Sequence, residues 1–125
     1  MNSESTVAAA QKSALSIVFE AEMKVARRLI DEGALDAAFA RLEIAHVLGQ
    51  RHVGRHVRSH WLMLKIGYQR RSTREIGGQL LRIILGAAGS SIGVVPTGNT
   101  GGTNISMFRQ LPVSPELQIL LKQRP

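Results

Sequence analysis

Apolar residues recur along the chain at intervals of three and four in four successive stretches, each closed by glycine or a turn-forming cluster. In the first, residues 6–32, the stripe is Leu15, Val18 with Phe19, Ala26, and Leu29 with Ile30, and Gly33 is a natural C-terminal stop. The second, residues 35–48, carries Leu35, Ala38 with Phe39, Leu42, and Ala45 with His46; Asp36 sits where the helix dipole favours negative charge. After Gly49 and Gln50, residues 52–70 predict a third helix with Val53, Val57, His60 with Trp61, Leu64, and Gly67 with Tyr68 inward. Arg51, Arg55 and Arg58 then face out, and Gly54 weakens the first turn enough to leave His52 to the loop. Ser72-Thr73-Arg74-Glu75 has the form of a capping box and opens a fourth helix that ends at Ala88 to Ser91. Its later part (Leu80, Leu81, Ile83, Ile84, Leu85) is apolar on every side, which predicts a buried central helix in which Arg82 must find a partner.

Beyond it the period disappears. Residues 94–104 form a turn-rich loop, Ser106-Met107-Phe108 supply an anchor, and Ser114-Pro115-Glu116 start a short last helix with serine as N-cap. The expected architecture is all-α. Four main helices form a compact bundle, wrapped by the glycine-rich loop and a short C-terminal helix. A chain of 125 residues supports one hydrophobic core, hence one domain over 1–125, with 1–5 frayed and 94–125 as loop and wrap.

Composition changes this picture in two places. There is no cysteine, so any metal must be held by imidazole and carboxylate. The net charge of +7 and twelve arginines invite an anionic partner. Only five aromatics and no zinc-finger, RNA-recognition or single-strand-binding signature argue against nucleic acid. The most apolar run, residues 83–95, is shorter than the ~20 residues of a membrane span. The N-terminus lacks a basic leader and a long apolar core, so a cytoplasmic location is the expectation.

The chemistry concentrates in HVLGQRHVGRHVRSHW, residues 46–61, which holds all four histidines and the one tryptophan. His52, His56 and His60 repeat every fourth residue, a spacing that stacks side chains on one helical face. Glu43 and His46 form a Glu-x-x-His pair, and Glu22 falls within the first helix's apolar stripe, where a charged carboxylate needs a partner. Carboxylate-bridged metal sites in bundles use inward glutamates and Glu-x-x-His pairs. Glu22, Glu43, His46, His56 and His60 are therefore the candidate ligands of a divalent transition metal (iron, zinc or manganese), with His52 outside the set. Glu75 or Gln79 could complete the set, although Glu75 also serves as a helix cap. With one Glu-x-x-His rather than two, the site would be mononuclear or an unusual histidine-rich dinuclear one. The structural alternative is a set of buried histidines hydrogen-bonded to glutamates. Gly98, Asn99, Thr100, Gly101, Gly102 and Asn104 read as a structural turn that lids the bundle, the alternative being an anion nest.

Three stretches taken together, AHVLGQ (45–50), HVRSHWLMLKIG (56–67) with GQLLRI (78–83), and VPTGNTGGTNISMF (95–108), resemble a family of small bacterial proteins known as a domain of unknown function. The resemblance spans residues 15–121 and places His46, Gln50, His56, His60, Trp61 and the 98–104 loop among the family's motif positions, with His52 outside them. Members sometimes occur near heavy-metal-resistance genes, which implies a metal-related role but carries no reaction. Three functions follow as expectations. The first is a helical metal-binding protein with a Glu/His site in the bundle, its catalytic role open. The second is a metal-free acid–base enzyme acting on a small molecule in the same pocket. The third is a basic module for an anionic partner.

Overall fold

The computed structural model describes residues 3–92 and 97–122, and the described chain is all-helical. Its elements are α1 (Ser3–Asp31), α2 (Leu35–Gly49), α3 (Val53–Gln69), α4 (Thr73–Ser91) and α5 (Pro115–Leu121). The expected compact bundle with a wrapped C-terminal segment is what forms. Helix α1 begins at Ser3, so residues 3–5 are helical rather than frayed; residues 1–2 and the 94–96 part of the expected loop lie outside the described residues.

Two hairpins make the bundle. Helices α1 and α2 pack along their length, as do α3 and α4, and α2 joins the pairs by packing on α3. Gly33, at φ +77°, closes α1 while the Ala34 N–H returns to the Leu29 carbonyl at 2.9 Å. Phe19, Met23, Ala26 and Ile30 of α1 meet Ala38, Leu42, Ala45 and Leu48 of α2 and Met63 and Ile66 of α3 in one buried cluster. Leu117, Leu120 and Leu121 of α5 pack against it. Ser114 caps α5 by accepting from the Leu117 N–H, and Ser72 caps α4 by accepting from Glu75 N–H at 3.2 Å.

Two expectations of facing are corrected. Helix α3 is rotated by about one residue from the predicted phase. His56, Ser59, His60, Met63, Ile66 and Gly67 are buried, whereas Trp61 and Tyr68 are 61% and 74% exposed. Large apolar side chains dominate a periodicity count, yet here the polar His-Ser-His positions turn inward. Helix α4 is not a buried central helix. Among the described residues the one helix it packs on is α3, and Leu80, Leu81, Ile84 and Leu85 are exposed. Its inward face is the polar and small one: Gln79, Arg82 and Gly86 lie at i, i+3 and i+7. Leu64, Ile76 and Leu80 join Trp61 and Tyr68 along an open apolar groove between α3 and α4. No helix among the described residues is long and apolar enough to cross a membrane.

Candidate metal centre

Three imidazoles converge where α2, α3, α4 and the loop meet. His46 comes from the end of α2, and His56 and His60 from consecutive turns of α3. His46 Nε2 stands 2.9 Å from His60 Nε2, and His56 Nε2 stands 3.0 Å from that same atom. All three residues are buried, and their ligand atoms lie within 4.8 Å of one another. The cluster could hold a metal ion.

The opposite ring nitrogens are tied down. His46 Nδ1–H donates to the Asn99 carbonyl at 2.6 Å, and His60 Nδ1–H donates to Gln79 Oε1 at 2.6 Å. Gln79 cannot be turned round, because its Nε2 donates to the Gly101 carbonyl at 3.0 Å. Gly101 N–H in turn donates to Asn99 Oδ1 at 3.0 Å, and Asn99 Nδ2 donates to the Ser106 and Arg109 carbonyls at 2.8 and 2.7 Å. A closed circuit results, from His60 through Gln79, Gly101 and Asn99 to His46. Every link has a donor and an acceptor except the last. With protons on both Nδ1 atoms, the Nε2 atoms of His46 and His60 face each other with two lone pairs.

Protons do not resolve this near neutrality. Burial lowers His60 from the ordinary histidine value of 6.5 to about 3, although its bond to Gln79 works the other way. Burial likewise holds His46 well below the ordinary histidine value, helped by the neighbouring His60 and His56 charges, and burial also lowers His56. Glycines seat the rings. A Cβ on Gly86 would stand 2.8 Å from His56 Cε1, and one on Gly101, itself at φ +85°, would stand 2.7 Å from His46 Cδ2. Neither position has room for a side chain while the imidazoles stay where they are.

Above the histidines lies a cavity of about 310 Å³ bordered by Gln50, Arg82, Leu85, Met107, Phe108 and Gln110. Arg82 donates to the Gly78 and Ile105 carbonyls at 3.1 and 2.8 Å. Its buried Nε–H has no acceptor among the described residues.

Of the five candidate ligands, the structure brings together the three histidines. Glu22 lies at the edge of the core and pairs with Arg41 at 3.5 Å, because Met23 takes the inward position the stripe assigned to it. Glu43 borders a separate cavity of about 260 Å³, where burial raises its carboxyl and the Thr100 hydroxyl partly offsets that. His52 caps α3, its Nδ1 accepting from Arg55 N–H at 3.2 Å. Glu75 pairs with Arg70 at 3.2 Å. In the loop, Gly98, Asn99, Gly101 and Gly102 are buried against the bundle and wall the site, while Asn104 is exposed. Gln79, Arg82, Gly86 and Asn99 carry roles that sequence reasoning missed or only half reached. The signal for the first three was the polar and small face of α4, masked by the leucines and isoleucines around it.

An all-α bundle with a buried three-histidine cluster, walled by a glycine-rich loop, is the class that fold and site define. The chain belongs to the family described as Protein of unknown function (DUF3703), whose model matches residues 13–121. No curated protein and no solved structure matches the chain.

Proposed function

We propose that this is a helical metal-binding protein whose ion is held by the Nε2 atoms of His46, His56 and His60. One observation carries the proposal: two buried Nε2 lone pairs meet at 2.9 Å while both Nδ1 protons are committed elsewhere. A cation between them turns that repulsion into coordination. Tetrahedral zinc with bonds of 2.0–2.1 Å needs nitrogens about 3.3–3.4 Å apart, so the two close pairs must open by a few tenths of an ångström, while His46 and His56 draw together around the ion. Hydrogen-bonding the far nitrogen is how ligand histidines are oriented. An all-imidazole set favours zinc over manganese, with iron, copper or nickel also compatible. The cavity admits a fourth ligand, and a metal in such a place supplies a Lewis-acid position. Metal binding, rather than a particular reaction, is what these donors support.

The acid–base alternative is weaker. A general base works best with a pKa near the working pH, and burial holds His60 far below it. The basic-module alternative also loses support, since Arg58 pairs with Glu20 at 2.6 Å and Arg70 pairs with Asp36 and Glu75.

Elemental analysis of the protein, purified without an affinity tag or chelator, tests the proposal beside a His56→Ala/His60→Ala variant. One equivalent of metal in the parent and none in a folded variant is expected. A parent that carries no metal and takes up neither zinc nor cobalt would overturn it.

A further inference from the structure

The cavity over the histidines has a charge problem that a metal makes worse. Among the described residues no aspartate or glutamate lines it and no carboxylate pairs with Arg82. Arg82 is only 8% exposed, and one of its donors is unmet. A guanidinium stays charged in proteins, so its charge is buried without a counter-ion. Its field already disfavours positive charge on His46 and His60. Three neutral imidazoles would leave the charge of a divalent ion undiminished, and Arg82 adds a third positive unit beside it.

We propose that the centre binds its metal together with a small oxyanion, a carboxylate or phosphate group, which takes the open coordination position and offsets the charge of Arg82. This rests on the metal reading above. Water at that position would leave all three positive units without a negative partner. A cavity of about 310 Å³ is also far larger than the ~30 Å³ that one water occupies. The oxyanion supplies the missing negative charge, and its presence makes metal and anion bind cooperatively. Linkage requires the coupling to be reciprocal: the factor by which anion strengthens metal binding equals that by which metal strengthens anion binding.

Cobalt(II), followed by its visible absorption, provides the test in the full chain, with ionic strength held constant by sodium perchlorate. Acetate and inorganic phosphate are titrated in separate arms, which distinguishes a carboxylate from a phosphate ligand. We expect a saturable change in the cobalt bands with at least one anion, and a cobalt Kd lowered about tenfold. In Arg82→Met and Arg82→Gln, cobalt should bind at least as tightly as in the parent without anion, and the anion effect should shrink to less than about twofold. If Arg82 only braced the loop, its loss would weaken cobalt binding instead. Cobalt binding indifferent to both anions, or a full anion effect in both variants, would overturn the inference and leave the metal site standing. No cobalt binding under any condition would remove the metal site itself. The parent titration stands alone if a variant does not fold.

Discussion

Gln79 shows how one side chain sets the state of another. By accepting from His60 Nδ1–H it fixes the tautomer that points the Nε2 lone pair at the other imidazoles. Replacing it with leucine should weaken zinc or cobalt affinity about 10–100-fold, as loss of such orienting bonds does, while the helical circular dichroism is unchanged. Titration with a competing chromophoric chelator reads this directly. The same histidines set an acid limit on the metal-free fold. In the unfolded chain His60 takes up a proton as pH falls below 6.5, whereas in the folded chain it stays neutral down to about 3. The unfolded state thus binds more protons in this window, and stability is lost as pH falls through it. Urea unfolding of the metal-free protein between pH 7 and 4 should show a falling midpoint. The His60→Gln variant should show a shallower fall. A midpoint independent of pH would mean that the imidazoles are not buried neutral.

At the scale of elements, α4 turns its small and polar face toward the site and its leucines outward. Gly86 gives this its sharpest test. Alanine there should favour the helix by up to about 1 kcal/mol, yet its Cβ would displace His56. Gly86→Ala is therefore expected to leave helicity intact or raised while cobalt binding weakens and its spectrum changes. Unchanged cobalt affinity would show that the glycine does not position His56. Helices α2 and α3 teach the complementary point. A Glu-x-x-His pair and a four-residue histidine repeat were visible in the chain, but only His46, His56 and His60 converge. Glu43 lies three residues from His46, on the adjoining turn, yet it borders a different cavity, and Asn99 from the loop takes the place beside His46.

For the whole molecule, the three histidines lie at the seam where the α1–α2 hairpin meets α3–α4, with imidazoles from both sides of it. An ion there would act as a cross-link between the hairpins. At a free zinc concentration 100 times its Kd, the folded state gains about 2.7 kcal/mol, or a rise in Tm of about 10 °C for a chain of this size. Thermal melts with zinc and with excess chelator measure the gain. The His56→Ala/His60→Ala variant should show none.

Periodicity and capping chemistry by themselves determined the all-α class, the four main helices and their stops, because a 3.6-residue repeat and a glycine or serine boundary are local properties of the chain. The i, i+4 spacing likewise placed His56 and His60 on one face. Helix rotation and distant partners were decided only by packing. A shift of one residue in α3 buries Ser59 and exposes Trp61, and what selects it is packing against the neighbouring helices α4 and α2 rather than anything local to α3. For the same reason Glu22 and Glu43 matched a ligand pattern along the chain but found Arg41 and Thr100 in space. Gln79 and Asn99, 20 residues apart in sequence, became the two supports of one histidine pair only once the loop had closed over the helices.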